Sequence, residues 1–585
     1  MNTIRRDEHP RPDRMRASWM TLNGSWNFAF DPDNAGRRQK WYRQLPATHH
    51  IEVPFCYQSA LSGIHDDRHC DVIWYARSFT VPEPLREKRR LLHFGAVDYR
   101  ADVWLDGQYL GGHEGGYTPF TFDITDLTQE GDAHTLTVRC EDRLDFDQPR
   151  GKQSFRPEPF ECWYTPVSGI WQSVWLEGVG AVYPVDFRLT PCLARGSIRV
   201  EVTLNELPRD GAIRLTARYE GDLVARQEVA VTTDRYVRTE LFLRHNERLE
   251  GFHMWRPGHP ALYDLTIETL EGGVAVDSVD TYFGMREIEI VGDRVLLNRS
   301  VLRQRLVLDQ GYWPDGLYTA PSDEAMIFDI QLMKDMGFNM LRKHIKCEPM
   351  RWYYHCDRLG MLVWQDMMSG GGEYSPMTIS APLITHHHKK DNDYKAFART
   401  DASARESYYQ ELRELVGQLY NCPSVVMWVP FNEGWGQFDA AKAVALIESI
   451  DRTRTIDHAS GWHDQKIGKI QSLHVYFVPY RFKKDRLGRA VVLSEFGGYN
   501  LPVTGHCFNS KNFGYRAFRS PEALGEAITK LYESQIIPAK ERGLAASVYT
   551  QLSDVEDEVN GFVTYDRKCV KLPKQLVREL SYRLR

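Results

Sequence analysis

Residues 337–367 read GFNMLRKHIKCEPMRWYYHCDRLGMLVWQDM: an apolar run, an amphipathic segment opened by Pro349, and a second apolar run. Strand, helix and strand in so short a span form the unit of a parallel sheet, because a crossover element is needed to bring the chain back beside the strand it left. The same grammar extends over 286–585. Further strands are expected near 301–308 (VLRQRLVL), 424–431 (SVVMWVPF), 454–460 (RTIDHAS), 472–476 (SLHVY), 490–496 (AVVLSEF) and 545–551 (AASVYTQ). Helices are expected at Asp323 to Met336, Pro349 to Leu359, Asp401 to Tyr420, Asp439 to Asp451 and Pro521 to Arg542. Eight strands in about 300 residues predict a (β/α)8 TIM barrel rather than an open doubly wound sheet.

Working back towards the N-terminus, the periodicity changes to two. Segments such as 22–30 (LNGSWNFAF), 101–112 (ADVWLDGQYLGG) and 134–142 (HTLTVRCED) alternate apolar and polar residues between turn residues, which predicts an antiparallel β-sandwich over 1–180. Between 181 and 285, the segments 197–205 (SIRVEVTLN), 212–220 (AIRLTARYE) and 263–271 (YDLTIETLE) repeat the signature over the length of an immunoglobulin-like sandwich. The expected protein is therefore multidomain: two β-sandwiches, then a barrel.

Composition narrows the functional classes. Of 585 residues, 42% are hydrophobic and 26% charged, and the net charge of −6 comes from 79 acidic and 73 basic residues with no basic block. Nucleic-acid and membrane surfaces are disfavoured, and a small polar partner is expected. The first twenty residues are too polar for a secretory signal, and no run approaches the ~18 apolar residues of a membrane span, so the expected location is the cytoplasm. Ten cysteines without CxxC pairs or regular spacing argue against a zinc site or a disulfide framework. Neither GxGxxG nor GxxxxGK[ST] occurs, so no nucleotide cofactor is expected.

Active sites of such barrels lie at the carboxyl ends of the strands. Glu433 follows the apolar run 424–432, and Glu495 follows 490–494. Two carboxylates facing each other there suit glycoside cleavage: one protonates the leaving oxygen while the other attacks or stabilises the oxocarbenium-like centre. Mutual repulsion keeps one of them protonated. Glu433 is read as general acid/base, with Asn432 placed to bond a sugar 2-hydroxyl, and Glu495 as nucleophile. A strand-end ion pair or a helix-capping acid is the structural alternative for either residue alone.

These segments also carry a resemblance. Ser424-Val-Val-Met-Trp-Val-Pro-Phe-Asn-Glu433 resembles the acid/base motif of glycoside hydrolase family 2, and Leu493-Ser-Glu495-Phe-Gly its nucleophile strand. Residues 95–125 and 166–177 are similar to the family's sugar-binding jelly roll, 254–265 and 282–290 to its immunoglobulin-like domain, and 337–367 to its second and third barrel strands. The resemblance implies retention of configuration and removal of a terminal sugar from an oligosaccharide or glycoside. The two-carboxylate chemistry itself requires no metal, and no cofactor is expected. β-Galactoside is the leading substrate, with β-glucuronide, β-mannoside, arabinoside and galactofuranoside as alternatives, and a non-catalytic carbohydrate-binding protein as the rival class. The Asn-x-Lys pair of family glucuronidases is not evident after Glu495.

Further substrate contacts are expected at strand ends. Asp309 lies where the family has a histidine region, Arg342 and His344 alternate on the second strand, and Trp364 and Asp366 on the third. His474 and Tyr476 follow the sixth strand, and Tyr476 corresponds to a family tyrosine beside the nucleophile. After the eighth strand, Tyr549 or Gln551 occupies the family's tryptophan region, with Asp554, Glu556 and Asp557 behind; Gln551 and Asp554 are taken as contacts. Each has a packing or ion-pair alternative. The stretch Ser369 to Arg399 is too long for an ordinary βα loop and reads as a lid or rim. Its run His386-His387-His388 is read as a loop or oligomer contact, since neighbouring side chains diverge. The sandwiches are expected to support the barrel and to supply an active-site loop or a homo-oligomer interface.

Overall fold

A computed structural model describes residues 5–128, 131–144, 148–243, 251–382 and 388–585. The alternating N-terminal segments form a six-stranded antiparallel sheet, centred on Val72–Thr80 and Ala133–Glu141, and a four-stranded sheet centred on Val174–Val179 and Arg89–Phe94. Trp26, Phe28, Tyr75, Phe94, Val138 and Leu176 fill the space between them. In the next unit, Ser197–Leu204 and Gly211–Tyr219 bury every second side chain, and three- and four-stranded sheets close over Val200, Val202, Leu215, Leu265 and Ile267. Period-two burial of this kind follows from side chains alternating across a strand.

A small antiparallel sheet, Ile288–Val291, Arg294–Leu297 and Ser300–Val301, precedes the barrel. Ile288, Ile290, Val295 and Leu297 join the cluster inside the barrel, so this sheet plugs its lower end. The eight parallel strands are β1 (Gln304–Asp309), β2 (Met340–Lys343), β3 (Leu362–Asp366), β4 (Val425–Val429), β5 (Thr455–Ile456), β6 (Ile470–Val475), β7 (Ala490–Gly497) and β8 (Ala546–Thr550). Their ladder runs 5-4-3-2-1-8-7-6, pairing all round except between β5 and β6 among the described residues.

The helices start where capping chemistry places them. Ser322, Asp401 and Ser520 each accept a backbone N–H from three residues on, satisfying one orphan donor of the helices Asp323–Asp335, Ala402–Gln418 and Pro521–Leu531. Met350–Leu359 ends on Gly360 at φ 72°, where an added Cβ would lie 2.6 Å from the Pro257 carbonyl oxygen. The last expected helix is broken: Pro521–Leu531 passes through a π turn at Tyr532–Ile536 before Ile537–Glu541.

Strand alternation divides the barrel into two cores. Leu306, Leu308, Met340, Leu362, Trp364, Val492 and Val548 point inward, whereas Val307, Leu341, Val363, Leu493 and Tyr549 point outward to helix residues such as Ile330, Met333 and Tyr353. This parity decides which strand-end groups reach the mouth. Among the described residues, no helix is long and apolar enough to cross a membrane. His386 and His387 lie outside the described residues; His388 has its ring centroid 6.4 Å from that of His463.

Candidate active site

β4 delivers Glu433 and β7 delivers Glu495 to the same end of the barrel. Glu433 is a non-glycine residue at φ 53°, held by its N–H donating to the Ser460 carbonyl at 2.9 Å. Backbone in the left-handed region is costly for glutamate and persists where the surroundings impose it, commonly at functional sites. His474, from β6, sits between the two acids: Nδ1 lies 2.7 Å from Glu433 Oε1 and 3.5 Å from Glu495 Oε2, and Nε2 lies 3.0 Å from Ser460 Oγ. One oxygen of each carboxylate and a ring nitrogen of His474 lie within 4.8 Å of one another. A metal bridging these three groups would occupy both acids that glycoside cleavage needs free.

Glu495 is held from two other sides. Arg342 Nη1 donates to its Oε1 at 3.1 Å, and the Tyr476 hydroxyl donates to its Oε2. Arg342 also clamps both oxygens of Asp366 and donates to Asn432 Oδ1 at 2.8 Å. One guanidinium thus locks β2, β3, β4 and β7 together, using the forked donors that suit carboxylates. The buried Asn432 Nδ2 has no partner among the described residues and remains available as a donor beside Glu433. Tyr476 stacks on Tyr515 with ring centroids 3.8 Å apart, and its hydroxyl also meets Thr550 Oγ1 at 3.0 Å.

These surroundings separate the two acids. Burial pushes Glu433 up to about 7, although Lys152 opposes the shift. Burial also raises Glu495, but His474, Arg342 and the Tyr476 hydroxyl favour its ionised form. A carboxyl protonated near neutrality beside a carboxylate is the pairing that acid-assisted cleavage requires. Burial lowers His474 to about 4, leaving a neutral imidazole between them. Burial raises Asp366 to about 6, and His344 is held well below its usual range by burial and by Arg342. A neutral His344 whose Nδ1 lies 2.8 Å from the Asp366 carboxylate carries its proton there.

Arg342, His344, Asp366, Asn432, His474 and Tyr476 therefore converge with the two glutamates, though Asp366 is saturated by Arg342 and His344 and positions them rather than offering a free sugar contact. Four expectations are corrected. Trp364 points inward one layer too deep: it is fully buried in the barrel core, with Nε1 donating to Gln304 Oε1 at 3.0 Å, so no sugar can stack on it. Asp309 has the outward parity of Val307 and pairs with Lys343 Nζ at 2.8 Å. Asp554 pairs with Lys571 at 2.6 Å and accepts the Gly561 N–H, a structural role. Tyr549 faces the helix layer, stacked on Phe562 at 4.6 Å.

Gln551 is buried beyond β8, with Oε1 accepting from Gln310 at 2.8 Å and Nε2 without a partner among the described residues. Glu556 accepts the Thr165 N–H, and Asp557 Oδ1 accepts from Asn509 at 2.6 Å, so both fasten loops.

Several residues at the mouth carry no strand-end signal: Lys152 and Trp163 from the first sandwich domain, Trp435 two residues after Glu433, and Tyr515 and Glu558. Lys152 and Trp163 lie outside any alternating run, in a stretch anchored by the N–H groups of Arg150 and Gly151 on the Ser369 carbonyl, at 2.8 and 3.0 Å. The readable trace is Gly151 at φ 68°, where a Cβ would come within 2.6 Å of the Ile345 carbonyl oxygen at the barrel mouth.

Tyr476→Phe tests the geometry around Glu495. Losing a hydrogen bond to a charged group costs about 1.5–3 kcal/mol, so kcat/KM for a cleaved glycoside is expected to fall about 10- to 100-fold. The hydroxyl favours the ionised form of Glu495. Its loss therefore raises the pH below which Glu495 is protonated, and the acid limb of the pH–rate profile moves to higher pH.

Sequence comparisons agree with this architecture. Residues 19–179 match the sugar binding domain of glycosyl hydrolases family 2, residues 182–286 match the domain described as glycosyl hydrolases family 2, and residues 319–489 match that family's TIM barrel domain. The chain belongs to glycoside hydrolase family 2. It is 24% identical over 444 residues to a β-galactosidase of Thermoanaerobacter pseudethanolicus, covering 74% of this chain and 53% of that protein. It is 24% identical over 441 residues to a β-glucuronidase of Paenibacillus borealis, covering 70% of this chain and 67% of that protein. The chain thus spans only part of the length of these relatives. The fold is that of the crystal structure of Ruminococcus gnavus β-glucuronidase, with a TM-score of 0.75, 19% identity and 97% of each chain covered.

Proposed function

We propose that this protein is a retaining exo-glycosidase that removes a terminal β-linked sugar by double displacement, with Glu433 as general acid/base and Glu495 as nucleophile. The observation that carries the reading is the spacing: one oxygen of each carboxylate lies within 4.8 Å of the other, which supports the close pair of a retaining enzyme over the roughly 6.5–9.5 Å separation that admits water in inversion. Glu433 protonates the glycosidic oxygen as Glu495 attacks the anomeric carbon, forming a glycosyl ester. Glu433, now ionised, takes a proton from water, which attacks the same carbon and releases the sugar with its configuration retained. Arg342 and Tyr476 hold the attacking carboxylate in place, and Asn432 Nδ2 is the donor for the 2-hydroxyl.

A β-galactoside is the leading substrate. Around the site the buried carboxyl groups Glu433, Glu495, Asp366 and Glu558 outnumber the cations Arg342 and Lys152, which favours a neutral glycone. A β-glucuronide is the second reading, favoured by the Lys152 ammonium, which has no carboxylate within ion-pair distance among the described residues and suits a uronate carboxylate. Hydrolysis of a panel of p-nitrophenyl glycosides (β-galactoside, β-glucuronide, β-mannoside, β-glucoside, arabinoside, β-galactofuranoside) decides between them. Turnover of the β-galactoside at least tenfold above the β-glucuronide is expected. The reverse order makes the second reading correct, and sugar binding without any turnover returns the chain to a carbohydrate-binding role.

A further inference from the structure

Lys152 is the one lysine that electrostatically favours the ionised form of Glu433 among the described residues, and it comes from a different domain. It is 4% exposed. Its Nζ lies 4.5 Å from the ring centroid of Trp435, 5.5 Å from that of Trp163 and 5.8 Å from that of Tyr164. No carboxylate of the described residues lies within 4 Å of it; the Cys162 sulfur, a weak acceptor, is its hydrogen-bond partner, and the carboxylates acting on it from further away are those of Glu558, Glu433 and Glu495.

An ammonium taken out of water this far is costly unless acceptors replace its hydration. Aromatic faces supply part of the replacement, because the ring quadrupole attracts a cation, but they supply no lone pair for the three N–H donors. The backbone cannot relax the arrangement, since Lys152 follows Gly151, wedged against the barrel, and its own carbonyl accepts from Tyr164 at 2.9 Å. A donor fixed in this way, next to both catalytic acids and lacking a strong protein acceptor, is preorganised for an acceptor brought by a ligand.

We propose that Lys152 is a specificity-determining contact for the terminal sugar, its ammonium donating to an oxygen of the glycone, so that the first sandwich domain forms one wall of the sugar pocket together with Trp163 and Trp435. The acceptor is a ring hydroxyl of a neutral hexose or the carboxylate of a hexuronic acid, and the two are separable. The inference rests on the glycosidase reading, and its test includes a binding arm that does not need turnover.

Lys152→Met keeps the stem between the rings and removes the donors; Lys152→Gln keeps a neutral donor. Each is made in the full chain for kinetics, and in the Glu495→Gln background for calorimetric titration with D-galactose and with D-glucuronate. The expected result is a 10- to 100-fold fall in kcat/KM for Lys152→Met, about the loss of one charge-assisted hydrogen bond, with weaker sugar binding and partial recovery in Lys152→Gln. Equal losses on the β-galactoside and the β-glucuronide identify a hydroxyl; a far larger loss on the β-glucuronide identifies the carboxylate. Removing the charge also takes away the influence that lowers Glu433, so the basic limb of the pH–rate profile is expected to move to higher pH in Lys152→Met.

Sugar binding unchanged in Lys152→Met, with kcat/KM within twofold or with only the pH limb displaced, overturns the contact. A parent that turns over no glycoside removes the glycosidase reading alone if the titrations still show Lys152-dependent binding. A parent that binds neither sugar overturns both.

Discussion

Glu495→Gln is expected to lower kcat by about 10⁴-fold or more on whichever p-nitrophenyl β-glycoside the parent cleaves, while leaving KM within a few-fold. An amide is a poor nucleophile and cannot form the glycosyl ester, and loss of a covalent nucleophile removes nearly all of what an active site contributes beyond binding and charge stabilisation. The substitution is close to isosteric: the amide oxygen keeps the bond from Arg342 Nη1, and the Tyr476 hydroxyl, which met the other oxygen, can turn to accept from the amide NH2, so the fold is not at risk. Mass spectrometry of the parent after reaction with a 2-deoxy-2-fluoro glycoside should find the added sugar on the peptide containing Glu495. A variant within tenfold of the parent, or a label on another residue, would remove Glu495 from the nucleophile's role.

Glu433→Gln should behave differently, and the difference identifies the acid/base. Proton donation matters most when the leaving group is a poor one. Alkyl and disaccharide substrates are therefore expected to lose about 10³- to 10⁴-fold in kcat/KM, and a p-nitrophenyl glycoside much less. The second step also loses its base, so the glycosyl ester accumulates. Azide, which needs no base, should then restore turnover and yield a β-glycosyl azide. The pH dependence follows from the same residue. Burial raises Glu433 to about 7, so the parent loses activity as pH rises through that value and the acid gives up its proton. Protonation of Glu495, itself raised by burial, sets the acid limb. Glu433→Gln should lack the basic limb. A variant with an unchanged basic limb and no response to azide would show that another group donates the proton.

The two catalytic candidates were legible because the sequence encodes strand ends. An apolar run followed by an acid places that acid at the carboxyl end of a strand, where barrel sites lie whatever the loops do. Asn432, Arg342, His344, His474 and Tyr476 could be found in the same way. Asp309 and Trp364 occupy equally plausible strand ends and fail for geometric reasons. Asp309 shares the outward parity of Val307, and Trp364 sits one layer below the mouth. Parity within one strand can be read from its sequence, but how deep each strand sits relative to its neighbours is set by the stagger of the closed sheet.

Local patterning alone thus determined three things: the change from period two to strand and helix alternation near residue 286, the barrel class, and the pair Glu433 and Glu495. These depend on side-chain periodicity and on where chains turn, and both are properties of neighbouring residues. The tertiary structure decided the rest. It pairs Arg342 with groups on three other strands at once, sets His474 between the two acids, turns Asp554 into a partner of Lys571, and brings Lys152 and Trp163 from the first domain against Trp435. All but the Asp554–Lys571 pair, 17 residues apart, join different strands or domains of the chain. Their meeting is fixed by how layers pack and how the barrel closes, and no stretch of sequence carries that information by itself.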